Sequence, residues 1–168
     1  MIDQASNLLG VVGLTVAERI EVAAREVLQF SGETAAALVV IGYDLGPSND
    51  ELRRILRLSH SGTVRLIDRL VEAGLVERRP GRDGREVALY ISRRGRDVRE
   101  EVLTNRIAAI KPLLVNLTRG EQKTLIGLLK KVLSSQETTD IERRSLCRLC
   151  DSRVCVDCPI PANFRDQT

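Results

Sequence analysis

A mainly helical fold carrying one small β-hairpin is what this sequence predicts, on three observations. Apolar residues recur at helical spacing through most of the 168 residues. One pair of strand-like runs flanks an Asp-Gly dipeptide, Asp83-Gly84, a good hairpin signal. Aromatic residues are only 2% of the chain, with no Trp, so the core must be built from Leu, Val, Ile and Ala, which favours helix packing on helix.

The elements follow in order. Three Ser/Thr-x-x-Glu boxes, Thr15/Glu18, Ser48/Glu51 and Thr118/Glu121, read as helix starts, because the hydroxyl and the Glu each satisfy an orphan backbone N–H. The first helix is expected over residues 16–30, where Val16, Ile20, Ala23, Val27 and Phe30 form one stripe and Ser31-Gly32 ends it. A second apolar helix is expected over 34–43, then a break at 44–47. A short helix over 49–56 and a turn at Arg57-Leu58 come next, then a helix from Ser59 to just before Gly74. Strands are expected over 75–79 and 86–91. A long helix should span 93–117, kinked or split at Pro112, and a last helix should run from Thr118 to Ser134-Ser135. Residues 136–140 read as a linker. The stretch 143–168 is too short and polar to bury a core of its own.

Net charge is +3, but it is unevenly spread. From Ser59 to Arg99 ten arginines face six acidic residues, leaving +4, while the remainder has sixteen basic and seventeen acidic residues. A concentrated basic segment suits a phosphate-facing surface. Base stacking on aromatic platforms is excluded as a main binding mode by the 2% aromatic content. No run is long and apolar enough to span a membrane, and residues 1–13 lack the basic start of a signal peptide, so the cytoplasm is the expected compartment, with no membrane partner.

Residues 48–72 form two helices joined by a short turn. In the second, Thr63, Leu66, Ile67 and Leu70 form an i, i+3, i+4, i+7 stripe facing the core. The other face presents Ser61, Arg65, Asp68 and Glu72, flanked by Gly62, Val64 and Arg69. Small hydrogen-bonding residues and Arg65 come first and the acids later, the order that suits a helix entering the major groove by its N-terminal end. Arg65 is the candidate for bidentate readout of guanine, and Ser59, His60 and Ser61 for base or phosphate contacts. Val64 could meet a thymine methyl. The hairpin carries Arg78, Arg79, Arg82 and Arg85, suited to a minor groove or its flanking phosphates. Periodicity of this kind also marks ordinary amphipathic surface helices, and arginines of a hairpin can simply be solvated. Arg85 could also pair with Asp83 to shape the turn.

The run from Thr63 to Arg79, TVRLIDRLVEAGLVERR, closely resembles the recognition helix and first wing strand of the MarR (multiple-antibiotic-resistance regulator) family. Asp83-Gly84-Arg85 resembles that family's Asp-Arg-Arg wing motif with Gly in the middle. Ile91-Ser92-Arg93-Arg94-Gly95 resembles its Leu-Thr-x-x-Gly helix entry, and Thr118-Arg119-Gly120-Glu121 its last-helix start. Gly62 departs from the Ser or Thr usual there. The resemblance covers roughly residues 16–133 and implies a winged helix-turn-helix with a helical dimerisation domain. It divides the chain into an N-terminal dimerisation helix (1–32), a DNA-binding domain (33–92), C-terminal dimerisation helices (93–136) and a linker with a cysteine-rich tail (137–168). It also implies a homodimer on a pseudo-palindromic double-stranded operator, wing residues Arg79, Arg82, Asp83, Gly84 and Arg85 at the DNA, and a small-molecule effector in a crevice between the two domains. Independently, Val102, Leu103, Ile107, Ile110, Leu113, Leu114 and Leu117, with Leu125, Ile126, Leu129, Val132 and Leu133, offer more apolar surface than one small protomer buries.

Four cysteines, Cys147-x2-Cys150-x4-Cys155-x2-Cys158, lie within twelve residues and nowhere else. Two C-x2-C pairs so close together point to one shared metal centre on four thiolates. The resemblance does not explain this tail. Zinc and an iron–sulfur cluster remain open. Tetrathiolate zinc is common, yet no Gly follows Gly127 to make a knuckle turn; the compact spacing and the Cys158-Pro159 ending suit a cluster. A third alternative is a disulfide switch, with Arg148 and Arg153 lowering thiol pKa values. An enzyme is not expected. A thiol–disulfide oxidoreductase would need a βαβ setting, and one His, no Gly-rich phosphate loop and no organic-cofactor motif leave little for other chemistry. A winged helix used only for protein association is disfavoured by Arg65 and the hairpin arginines.

Overall fold

A computed structural model describes residues 1–28, 32–43, 46–81, 86–135, 139–155 and 157–160. The described elements run α1 (Ile2–Leu28), α2 (Gly32–Tyr43), α3 (Asn49–Leu56), α4 (His60–Glu72), β1 (Val76–Pro80), β2 (Val87–Ile91), α5 (Arg93–Ile110), α6 (Arg119–Ser134) and α7 (Asp140–Leu146). A 3₁₀ turn, Lys111–Leu114, separates α5 from α6 where Pro112 was expected to break the helix.

Two of the three expected caps form. Ser48 and Glu51 close a capping box on α3, and Thr118 and Glu121 close one on α6. Thr15 does not start a helix. It lies inside α1, and its hydroxyl donates to the Val11 carbonyl at 2.9 Å. The helix extends back to Ile2 because Ile2–Leu14 holds nothing that stops one. A fourth box, Thr139/Glu142, opens α7 where a linker and a short, polar, cysteine-bearing tail were expected.

Helix α2 is the centre of the molecule. Ala35 through Ile41 are all buried, as in a helix wrapped on every side. α1, α3, α4, α5 and β2 pack around it. Leu52 and Ile55 from α3, Leu66, Ile67 and Leu70 from α4, Leu89 from β2 and Leu103 from α5 complete one continuous core. β1 and β2 pair antiparallel, with Val76 opposite Ile91 and Pro80 opposite Val87, and Ser48 bridges to Ala88 at the outer edge of β2. The strands are offset by one residue from the expected bounds. α5 packs along α1, while α6 makes little contact with the rest of the protomer.

The tail is docked on this body. α7 lies against α3, Ile141 and Leu149 pack onto the main core, and Ser145, Asp151 and Ile160 are buried. It buries its few apolar groups on the core of the larger domain, since it has none of its own.

Candidate nucleic-acid interface and cysteine cluster

α4 is held by its core stripe and presents the opposite face outward. Thr63, Leu66, Ile67 and Leu70 are buried, while Ser59, His60, Ser61, Arg65 and Arg69 are exposed and Gly62 and Val64 half-buried. Ser59 is the N-cap. Its hydroxyl accepts the Gly62 N–H at 3.1 Å, and its carbonyl accepts the Thr63 hydroxyl at 3.0 Å. A Cβ on residue 62 would lie 3.0 Å from that Ser59 hydroxyl, so glycine keeps the cap uncrowded. The N-terminal turn is therefore capped yet open to solvent. The Arg65 side chain has no hydrogen bond or ion pair among the described residues, whereas Arg69 reaches back to the Arg65 carbonyl at 3.4 Å.

The hairpin is tied to this helix. Arg78 on β1 pairs with Asp68 of α4 at 2.5 Å, which gives a structural role to an acid expected on the groove-facing side. Arg79 pairs with Glu77 at 2.8 Å and stacks over the Tyr90 ring, 5.1 Å from its centroid. The Gly81 N–H donates to the Glu86 carbonyl at 2.7 Å and closes the base of the turn. The tip candidates Arg82, Asp83, Gly84 and Arg85 lie outside the described residues.

The Ile91–Gly95 motif has a direct physical reading. Ser92 caps α5 by accepting the Gly95 N–H at 2.9 Å, and its hydroxyl donates to the Gly74 carbonyl at 2.7 Å. A Cβ at residue 95 would sit 2.1 Å from the Leu75 carbonyl oxygen, so only glycine permits this crossing of α5 over the start of β1. Not all of the basic segment faces outward. Arg94 and Arg96 bond the Ala73 and Ile91 carbonyls at 3.1 and 3.3 Å. Arg99, counted with the phosphate-facing charge, is buried: its guanidinium lies 4.0 Å from the Tyr43 ring centroid and pairs with Glu100 at 2.9 Å. Its long stem fills space against Gly42, which makes it a core element instead.

The cysteine loop sits at the junction of these parts. Cys147, Cys150, Cys155 and Cys158 line one cavity of about 420 Å³ together with Tyr43, Arg143 and neighbours from α2 and α7. The Tyr43 hydroxyl donates to the Cys150 carbonyl at 2.7 Å and accepts the Ser152 N–H at 3.0 Å. Asp151, buried, accepts the Arg153 backbone N–H at 3.0 Å and its guanidinium at 2.9 Å, and Arg153 also pairs with Glu100 on α5. Arg144 approaches Glu51 at the head of α3 at 3.5 Å, and Asp157 takes the Lys130 ammonium of α6 at 2.6 Å. Helix α7 and the cysteine loop together thus touch α2, α3, α5 and α6. Sequence reading missed this docking. The Thr139-x-x-Glu142 box and the hydrophobic Ile141 and Leu149 were its available signals.

Cys147 lies close enough to interact with Cys158 and Cys155, and Cys150 with Cys155 and Cys147, so each C-x2-C faces the other. Among the described residues, no three His, Cys, Asp or Glu side chains are grouped as a single metal ion requires. Burial and the neighbouring thiols push Cys147 up and Cys150 up to about 12. Arg148 is spent on the Ser145 carbonyl at 2.7 Å, and Arg153 on Asp151 and Glu100. Two other arginines act on the thiols: Arg143 on Cys147, and Arg106 on Cys150. The Nε of each is buried without an acceptor.

The expected dimer residues divide. Val102 and Leu103 are buried within the protomer, because α5 uses that stripe against α2 and α1. Ile126, Leu129 and Val132 on α6 are 56%, 43% and 48% exposed, and Leu133 and Leu114 are exposed too. A second exposed apolar face, Ile2, Leu8, Leu9, Val11, Val12 and Leu14 of α1, went unread because the first helix was placed too late. Among the described residues no helix is long and apolar enough to cross a membrane.

A family model described as the MarR family matches residues 28–86. YwhA, an uncharacterised HTH-type transcriptional regulator of Bacillus subtilis (strain 168), is 30% identical over 83 residues, 49% of this chain; the match spans 60% of that relative's length. The crystal structure of wild-type MarR from E. coli, apo form, superposes with a TM-score of 0.67 at 28% identity, covering 76% of this chain and 95% of that one. The multiple antibiotic-resistance repressor of Listeria monocytogenes superposes at 0.64 with 25% identity, over 78% and 92% of the two chains. A Mycobacterium tuberculosis MarR family protein, Rv2887, solved in complex with DNA, shares the fold at 0.62 with 23% identity, over 76% and 95%.

Proposed function

We propose that this chain is a regulator of the MarR type that binds double-stranded DNA sequence-specifically as a homodimer. The observation that carries this is the exposed, capped N-terminal half of α4 with an unpaired Arg65, braced by the Arg78–Asp68 pair against a basic hairpin. Such a helix suits the major groove, with Ser59, His60 and Ser61 at phosphates or base edges and Arg65 at a guanine. The hairpin, with Arg78 and Arg79 on β1 and with Arg82 and Arg85 following in the sequence, suits the adjacent minor groove and its phosphates. The bare apolar faces of α1 and α6 support a dimer, since patches of that extent are rarely left in water. Two copies then set two α4 helices on one face of a pseudo-palindrome, about 34 Å apart.

Bound at an operator, the dimer acts as a repressor by excluding polymerase. Release requires a signal whose affinity differs between the DNA-bound and free states. Two positions suit such a signal: a small molecule in the crevice between DNA-binding and dimer parts, and the cysteine-lined cavity. A protein of this kind works in the cytoplasm and performs no catalysis.

The test is fluorescence anisotropy of the full chain against duplexes selected from a random pool. Selection should enrich a pseudo-palindrome bound at least a thousandfold more tightly than scrambled duplex, with affinity falling steeply with salt. Equal affinity for selected and scrambled duplexes would sink the reading.

A further inference from the structure

The cysteine-lined cavity assigns a binding site of its own: we propose that Cys147, Cys150, Cys155 and Cys158 hold an iron–sulfur cluster between α2 and α7. The site stands on its own geometry; its regulatory consequence rests on the DNA-binding function proposed above.

Four features carry it. First, all four thiols line one cavity of about 420 Å³, far roomier than a lone ion needs. Second, the compact Cys147-x2-Cys150-x4-Cys155-x2-Cys158 spacing, closed by Pro159, is similar to that of known cluster sites. A tetrahedral zinc would draw all four sulfurs to within ~2.3 Å of one point. A cluster instead takes its thiolates on separate irons, at the rim of a larger inorganic core. Third, the Nε groups of Arg106 and Arg143 are buried without an acceptor, and both cations act on these thiols. An anionic cluster with sulfur acceptors satisfies both donors at once, and N–H bonds to sulfur are a general means of tuning such centres. Fourth, Val40 and the Tyr43 ring wall the cavity on the α2 side, while Cys158 stays exposed at its mouth. On loading, the four thiols pass their protons to solvent as the irons bind.

The loop that carries the cysteines is fastened to both functional parts. Tyr43 holds the backbone at Cys150 and Ser152, Arg144 reaches Glu51 at the head of α3, and Arg153 pairs with Glu100 on α5. Loading orders this loop and sets α3, and with it α4, relative to the dimer helix. Loss of the cluster loosens that setting, so DNA affinity follows the state of the site.

The experiment is anaerobic purification of the full chain, followed by reconstitution of the metal-free protein with ferrous iron and sulfide, or with zinc alone. The expected result is a brown protein with equal iron and sulfide per chain. C150S and C155S should lose the iron yet keep the helical circular dichroism of the wild type. R106A and R143A should keep the iron but shift the reduction potential, a change that a merely structural role would not produce. A colourless protein that takes up one zinc per chain and no sulfide would overturn the proposal, as would a chain that takes up neither metal. None of these readouts uses DNA, so they fail or succeed apart from the regulator reading. If iron loads but operator affinity is the same with and without it, the coupling is wrong and the site remains.

Discussion

Arg65 and Gly95 show two opposite ways in which a single residue matters. The Arg65 side chain is exposed and makes no hydrogen bond or ion pair among the described residues, so its truncation should leave folding untouched. R65A is expected to lose about 1–3 kcal/mol of specific binding, roughly ten- to a hundredfold, with an unchanged melting temperature. Anisotropy with the selected duplex, alongside thermal unfolding, checks both halves. Unaltered affinity would mean that another residue reads the groove. Gly95 contacts nothing external, yet a Cβ there would meet the Leu75 carbonyl at 2.1 Å. G95A must push α5 away from the start of β1, and overpacking of this kind costs on the order of 1–3 kcal/mol. A melting temperature equal to wild type would show that the crossing relaxes freely.

At the scale of elements, capping decides which helices exist. α6 and α7 begin at Thr118 and Thr139, each closed by a Glu three residues on. The backbone N–H of Thr118 holds the Glu121 carboxyl below the usual glutamate range, helped by its hydroxyl, and Thr139 does the same for Glu142. A carboxylate lowered in the folded state stabilises above its ordinary value, and that contribution is lost as pH falls through the lowered one. The first turns of α6 and α7 should therefore lose amide-exchange protection in acid, after correction for intrinsic rates, while E142Q makes α7 insensitive. T139A should weaken α7 by about 1 kcal/mol and loosen the cysteine loop before the core. Protection of α7 that survives acid unchanged would mean that packing on α3, not the cap, holds it.

For the whole molecule, the question is what covers α1 and α6. Leu129 is 43% exposed and contributes little to the protomer core. L129E should yield a folded monomer by sedimentation, with circular dichroism intact and operator affinity lost along with the second recognition helix. A stable L129E dimer would move the interface elsewhere, with the α1 face the next candidate. L103E makes the contrast: Leu103 is fully buried, so that change should unfold the chain rather than divide it.

Local chemistry made the fold class, the positions of α3, α4 and α6, the break at Pro112 and the hairpin readable from the sequence alone, because caps, breakers and i, i+3, i+4 stripes act over a few residues. The recognition face of α4 was legible for the same reason: once its core stripe is placed, the other side must face out. What the tertiary structure decided is every relation between distant residues. Tyr43 meets Cys150 across 107 positions, Arg99 turns inward to stack on Tyr43, and Asp68 is taken by Arg78. Periodicity assigns a residue to a face but cannot say which other face arrives there. So it marked Val102 and Leu103 as an interface, although α2 had already claimed them, and it read as a separate cysteine-rich tail the segment that closes a cavity against α2.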